Sequence, residues 1–155
     1  MESWAASALN SVLHEETRRS RPVIIVADDD RDTRELYRAC FDLSGYRTAE
    51  AATGGQALIM TRRLLPDVLL TDLVLPDIDG FSVARALKED PATADVRVIL
   101  LTGYASQGLE RRAADAGIDR ALLKPCLPQT MLREVRRALR SKHSTADRRL
   151  SPGFQ

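Results

Sequence analysis

The sequence predicts an α/β fold in which helices cover both faces of a five-stranded parallel sheet. From Val23 onward, short β-rich apolar runs alternate with segments of helical periodicity. The run at 67–72, DVLLTD, is apolar through its centre, which is typical of a strand buried on both faces. Because parallel strands are joined by right-handed crossovers, this alternation places helices on both sides of one sheet.

Five strands are predicted, each followed by a helical segment. They are VIIVA (23–27), YRTAEA (46–51), DVLLTD (67–72), VRVILLT (96–102) and RALLK (120–124). Their short lengths and their enrichment in apolar residues match the strands of βαβ units.

Local signals mark where the helices begin and end. Asp30 and Asp32 are assigned to the cap and first turn of the helix after the first strand, and Gly45 ends that helix. Thr53 caps the next helix, and Pro66 ends it. Apolar residues recur at helical spacing in the first of these helices: Leu36, Cys40 and Leu43.

One domain is expected at residues 22–142, flanked by two extensions. The chain has 155 residues, 44% of them hydrophobic, which is enough for one ordinary core. Residues 1–21 form an N-terminal extension with a helical pattern, and residues 143–155 are expected to be a polar, disordered tail. The apolar residues on one side of the N-terminal pattern are Trp4, Ala8, Leu9, Val12 and Leu13.

Composition argues against two classes of partner. A formal net charge of +1 and 5% aromatic residues do not predict a nucleic-acid surface. No apolar run approaches the roughly 20 residues that span a bilayer, so no membrane partner is expected. Cys40 and Cys126 match neither metal-ligand spacing nor a disulfide framework, and unpaired thiols fit a reducing, cytoplasmic compartment.

Polar residues gather at the carboxyl ends of the predicted strands. Parallel sheets bind ligands at this edge, where four separate segments deliver Asp28, Asp29, Asp72, Thr102 and Lys124. The three carboxylates would repel one another unless a cation neutralised them. Such a set of oxygen ligands favours Mg²⁺.

The same edge carries groups suited to phosphoryl chemistry. Thr102 offers a hydroxyl and Lys124 a compact positive charge, and both suit phosphoryl oxygens. An aspartate beside them is already ionised at neutral pH and can act as a nucleophile once it is aligned.

At these positions the sequence resembles the receiver domain of two-component response regulators, over roughly residues 22–142. The matching motifs are the acidic pair Asp28 and Asp29, DLVLPDIDG with Asp72, Pro76 and Gly80, LLTGYA with Thr102, and LLKP with Lys124 and Pro125. The resemblance implies a flavodoxin-like, doubly wound sheet with strand order 2-1-3-4-5. It also implies a cis Lys124–Pro125 peptide bond.

By this resemblance, Asp72 accepts a phosphoryl group from a phosphohistidine. The donor would be a sensor histidine kinase or a histidine phosphotransfer protein, and the chain would signal by contact with a downstream protein or by phosphorelay. Thr102 and Lys124 would bind the phosphoryl oxygens. Oligomeric state is left open, as is whether the chain acts alone or belongs to a longer protein.

The resemblance also implies a ligand set for Mg²⁺. Asp29 would ligate the ion directly and Asp28 largely through water. The backbone carbonyl of Val74 would supply another oxygen beside Asp72.

One position departs from the family pattern. The family usually has Tyr or Phe three residues before the lysine, where the ring turns inward on phosphorylation, but Ala121 stands there. Phospho-acceptor chemistry does not need that ring. The methyl group of Ala121 cannot turn inward as a ring does, so signalling is expected to pass through the TGYASQG loop, with Tyr104 as the relay.

Two alternatives differ in function class. A Mg²⁺-dependent aspartyl-phosphate phosphatase typically has a second acid two residues after its nucleophile, where this chain has Val74. Sustained turnover of para-nitrophenyl phosphate would support that enzyme. A degenerate receiver acting only as a docking module is disfavoured by the complete set of five site residues. The expectation is therefore a phospho-acceptor and not a turnover enzyme.

Overall fold

The computed structural model describes residues 3–149, with side chains described for residues 4–13 and 21–142. The strands are β1 Val23–Ala27, β2 Arg47–Ala51, β3 Val68–Asp72, β4 Arg97–Thr102 and β5 Arg120–Leu123. The helices are α1 Ser3–Ser20, α2 Arg31–Leu43, α3 Gly54–Leu64, α4 Gly80–Glu89, α5 Leu109–Asp115 and α6 Pro128–Arg149. Each predicted strand is present, with its ends within one residue of those expected from the sequence.

The strands form one parallel sheet in the order β2-β1-β3-β4-β5. This confirms the predicted α/β class and the strand order that the resemblance implied. The register pairs Ala27 with Thr71 and Thr102 with Leu123, so the carboxyl ends of β1, β3, β4 and β5 are level. Residues that follow these strands therefore meet at one edge.

Two apolar layers, one on each face of the sheet, form the core. Ile25, Leu69 and Leu100 pack with residues of α3, α4 and α5 on one face. The neighbouring residues along the same strands point to the opposite face and pack with α2 and α6. Residues 68–71 of β3 are all buried, as the apolar run predicted.

The face that α2 buries differs from the pattern seen in the sequence. Leu36 is 53% exposed and Leu43 is 90% exposed, whereas Tyr37 and Phe41 are buried. The two patterns are one residue apart on the helix, and the aromatic rings offer more apolar area to the core than the leucines. The sequence pattern therefore predicted the helix but not its orientation.

The helix caps agree with the sequence. The Asp30 carboxylate accepts the Thr33 amide at 3.2 Å, and the Thr53 hydroxyl accepts the Gln56 amide at 3.1 Å. Leu65, at the end of α3, has a left-handed φ of 46° just before Pro66.

Helices form both ends of the described part of the chain. The N-terminal extension contains α1, on which Trp4, Leu9 and Val12 are exposed. At the other end, α6 continues to Arg149, so the prediction of a disordered tail from 143 is wrong for 143–149. No glycine or proline interrupts that stretch before Pro152. Residues 150–155 lie outside the described part of the chain. None of the helices in the described part of the chain has the length and apolar character of a transmembrane span.

Candidate functional site

The five predicted site residues lie at the carboxyl edge of the sheet. Asp28 and Asp29 follow β1, Asp72 is the last residue of β3, Thr102 is the last residue of β4, and Lys124 follows β5. β3 lies at the centre of the sheet, so Asp72 stands between the acidic pair on one side and Lys124 on the other.

Three carboxylates converge at this edge. One oxygen from each of Asp28, Asp29 and Asp72 lies within 4.8 Å of the other two. The three side chains are buried, exposed and half-buried, in that order. Oxygen donors on two strand ends, with one side open to solvent, fit a hard cation such as Mg²⁺ that retains some of its water.

Lys124 joins two of these carboxylates. Its Nζ lies 2.7 Å from Asp28 Oδ2 and 3.0 Å from Asp72 Oδ2. Burial alone would lower the pKa of Lys124, but the hydrogen bonds to Asp28 and Asp72 raise it above its ordinary value. The ammonium thus supplies positive charge where the carboxylates would otherwise repel. The Lys124–Pro125 peptide bond is cis, as the resemblance implied.

Asp28 is the most deeply buried acid of the cluster, at 3% exposure. Desolvation raises the pKa of its carboxyl group, and the hydrogen bond from Lys124 opposes that rise. The Asp30 amide also donates to Asp28 Oδ1, at 2.9 Å. Lys124 and the Asp30 amide thus both favour the ionised form of this buried carboxyl group, and that form attracts a cation.

Asp72 is held by its neighbours in the β3–α4 connection. The Val74 amide lies 3.3 Å from Asp72 Oδ1, and the Thr71 hydroxyl donates to the Asp72 carbonyl at 2.9 Å. Helix α4 begins directly behind this carbonyl. A Cβ added at Gly80 would lie 2.5 Å from the Asp72 carbonyl oxygen, so glycine is what allows α4 to start there.

Thr102 is fully buried at the end of β4. Its hydroxyl accepts the Tyr104 amide at 3.2 Å, and its carbonyl accepts the Lys124 amide at 2.8 Å. Thr102 is thus tied to the Lys124 backbone and to the loop after β4. The Tyr104 side chain is 67% exposed.

A groove lies beside Ala121, where the family usually has an aromatic ring. Its volume is about 700 Å³. Its walls are β5, α5 and the loop before α5, with Ala121, Leu109 and Leu123 among the lining residues. Ala121 contributes only a methyl group to this lining.

Sequence reasoning missed two polar contacts around the site. Arg34 Nη1 on α2 donates to the backbone carbonyls of Asp28 at 2.8 Å and Asp29 at 3.2 Å. In the loop after β3, the two oxygens of Asp77 accept the amides of Gly54 and Gly55, each at 2.8 Å. An arginine one turn into the helix after an acidic pair was the only available signal for the first contact.

A known protein family matches most of this chain, including the edge of the sheet that carries the acid cluster. The family model of the response regulator receiver domain matches residues 24–136. This range contains all five predicted site residues.

The match extends to individual relatives. The chain is 37% identical over 121 residues to the DNA-binding dual master transcriptional regulator RpaA of Synechocystis, covering 77% of this chain and 49% of that protein. It is 31% identical over 102 residues to the polar-differentiation response regulator DivK of Brucella ovis, covering 66% of this chain and 83% of DivK. The chain thus spans about half the length of RpaA but most of DivK.

A solved structure shares the fold over nearly its whole length. It is a CheY-like response regulator receiver domain protein from Methanospirillum hungatei, with a TM-score of 0.77 and 25% sequence identity. The alignment covers 81% of this chain and 99% of that one.

Proposed function

Because the chain belongs to the response regulator receiver domain family of two-component signalling, we propose that Asp72 accepts a phosphoryl group from a phosphohistidine in a Mg²⁺-dependent reaction. The observation that carries this proposal is the position of the Asp72 carboxylate, within 4.8 Å of the oxygens of Asp28 and Asp29 and 3.0 Å from Lys124 Nζ. The proposal gives Asp72 the role of nucleophile, the three carboxylates that of a cation site and Lys124 that of a phosphoryl-binding cation, all at one edge of the sheet.

The metal would be held by this chain's acidic residues. Asp29 and Asp72 would ligate Mg²⁺ directly, Asp28 largely through water, and the Val74 carbonyl would complete the protein ligands. When bound, the ion neutralises negative charge on the phosphoryl oxygens and on the acid cluster. The three convergent carboxylates support this assignment through their oxygen chemistry.

The transfer itself forms one bond and breaks another. An Asp72 carboxylate oxygen attacks phosphorus, and the bond from phosphorus to one imidazole nitrogen of the donor breaks. The bonding pair stays on that nitrogen, and histidine leaves neutral because its other ring nitrogen carries a proton. The Lys124 ammonium and the Thr102 hydroxyl would bind phosphoryl oxygens. Lys124 already contacts Asp72, so it can move from carboxylate to phosphoryl oxygen over a short distance.

The donor would be a sensor histidine kinase or a histidine phosphotransfer protein in the cytoplasm. The output would be contact with a downstream protein or onward phosphorelay. Nucleic-acid binding is not part of the proposal for residues 22–142, since net charge and aromatic content do not favour it. A phospho-acceptor of this kind undergoes its own phosphotransfer and dephosphorylation and does not turn over external substrates.

Phosphotransfer from a phosphorylated histidine kinase tests the proposal. Radiolabel should move to the parent chain in Mg²⁺ and not in excess chelator. Asp79→Asn is a matched control because Asp79 caps α4 outside the acid cluster, and asparagine caps equally well. Asp72→Asn should stay unlabelled while Asp79→Asn is labelled like the parent. Labelling of Asp72→Asn would exclude Asp72 as the acceptor.

A further inference from the structure

We propose that Arg34 is a positioning residue for the magnesium site. This inference rests on the proposed function, because it assigns a role to Arg34 in the same acid cluster. The guanidinium Nη1 donates to the carbonyl oxygen of Asp28 at 2.8 Å and to that of Asp29 at 3.2 Å. One side chain therefore holds the backbones of both residues in the acidic pair.

The guanidinium is fixed on its other side by β2. Arg34 Nε lies 3.4 Å from Glu50 Oε1, and the Arg34 side chain is only 16% exposed. Glu50 is itself held, because Arg38 Nη1 lies 2.8 Å from its second oxygen. A planar guanidinium presents several donors in a fixed geometry, so it can contact Glu50 and the two carbonyls at the same time.

The contact to Asp29 matters because this residue projects into solvent. Asp28 is fixed further by its own amide, which donates to the Ala51 carbonyl at 3.1 Å, and by the Asp30 amide on its carboxylate. The Asp29 side chain is exposed, and Arg34 ties its carbonyl to α2. Since backbone orientation sets the direction of a side chain, Arg34 aims the Asp29 carboxylate at the metal site.

A positioning role and a purely electrostatic role of Arg34 predict opposite effects of its removal on Mg²⁺ affinity. A positive charge near the site repels Mg²⁺, so removal of the charge alone would tighten metal binding. The Glu50 carboxylate offsets much of that charge locally. If Arg34 acts by positioning, its removal weakens metal binding, because outer-shell partners of ligands commonly contribute 10–100-fold in affinity.

The test is a Mg²⁺ titration of the full chain, followed by the amide resonances of residues 28–30. Arg31→Met is the control, because Arg31 lies on the same helix but pairs with Glu35 at the surface, whereas Arg34 contacts the carbonyls of the acidic pair. Arg34→Met should raise the dissociation constant about 10-fold or more. Arg31→Met should bind Mg²⁺ like the parent, and Arg34→Lys should have an affinity between those of the parent and Arg34→Met.

Stability is measured separately, by urea unfolding without Mg²⁺. The proposal expects Arg34→Met to be folded and to bind weakly. Binding as tight as the parent's, or tighter, would overturn the positioning role. If Arg34→Met does not fold, the Mg²⁺ affinity of Arg34→Lys is measured instead. An affinity equal to the parent's in that variant would overturn the positioning role of Arg34. Failure of the parent itself to bind Mg²⁺ would instead overturn the proposed function, and this inference with it.

Discussion

The ammonium of Lys124 lies 2.7 Å from a carboxylate oxygen of Asp28, although the residues are 96 positions apart in the chain. β3 and β4 separate the strands that they follow, so the contact bridges the central part of the sheet edge. Burial raises the pKa of Asp28, and the hydrogen bond from Lys124 lowers it. Lys124 therefore favours the ionised form of Asp28, which burial disfavours.

Replacement of Lys124 by methionine should raise the pKa of Asp28 further. The substitution removes both the hydrogen bond and the nearby positive charge that lower this pKa. Desolvation, which raises it, then has less to oppose it. Carboxyl carbon resonances, titrated without Mg²⁺, measure the change. Lys142→Met is the control, because Lys142 contacts Asp67 at the opposite end of the sheet. An unchanged or lowered Asp28 pKa in Lys124→Met would contradict the assigned role.

Stabilisation by Mg²⁺ should increase from acidic to neutral pH. The raised pKa of Asp28 means that the folded chain holds this proton more tightly than the unfolded chain, whose aspartates titrate near 3.9. Its contribution to stability is present below that value and is lost as pH rises through the folded pKa. Mg²⁺ should bind the site once its acids are ionised and stabilise the fold by mass action.

Urea unfolding with and without Mg²⁺ across this pH range measures the effect. Asp29→Asn should show a smaller Mg²⁺ increment at neutral pH. An increment that is the same at acidic and neutral pH would argue against binding at these carboxylates.

Gly80→Ala should destabilise the fold by about 1–3 kcal/mol, a typical cost of overpacking. The added methyl group would lie 2.5 Å from the Asp72 carbonyl oxygen and 2.9 Å from a Leu100 methyl. Gly103→Ala is the control, since a Cβ there meets nothing within 4 Å. Urea unfolding distinguishes the two, and equal stability of both variants would show that α4 can shift without cost.

Asp77→Ala should lower the urea midpoint at neutral pH and have little effect in strong acid. Hydrogen bonds from the Gly55 and Ile78 amides lower the pKa of Asp77 below its ordinary value. A lowered pKa stabilises the fold above the unfolded value near 3.9, and this contribution is lost as pH falls through the folded pKa. Asp77→Asn, which keeps one acceptor oxygen, should be intermediate. A midpoint difference independent of pH would contradict a stabilising role for the ionised Asp77 carboxylate.

Signalling past Ala121 is predicted to use the loop after β4. The Thr102 hydroxyl accepts the Tyr104 amide, so movement of Thr102 toward a phosphoryl group would shift the Tyr104 backbone. Beryllofluoride, which mimics the phosphoryl group on Asp72, should then shift amide resonances from Thr102 through Gly108 into α5. In Tyr104→Ala the α5 shifts should shrink while Asp72 is still phosphorylated. Full-size α5 shifts in that variant would exclude Tyr104 as the relay.

The sheet and the site edge were predictable because their signals are local. Apolar runs mark the strands, and the polar residues directly after β1 and β5 and at the ends of β3 and β4 must meet once those strands are parallel. The cap assignments of Asp30 and Thr53 depend on nearby residues and were confirmed.

Features that depend on distant packing were not predictable. Tyr37 and Phe41, rather than Leu36, face the core because the sheet and α6 select the buried side of α2. Arg34 reaches two carbonyls because Glu50 on β2 holds its other side. Such contacts form only in the assembled fold, so the spacing of residues in the sequence gives little indication of them.

Mapping of the acyl phosphate identifies the residue that accepts the phosphoryl group. The parent chain is incubated with acetyl phosphate and Mg²⁺, the phosphorylated aspartate is reduced with borohydride, and the modified peptide is sequenced by mass spectrometry. Modification is expected at Asp72, dependent on Mg²⁺ and absent from Asp72→Asn. Modification at Asp28 or Asp29, or modification that persists in Asp72→Asn, would contradict it.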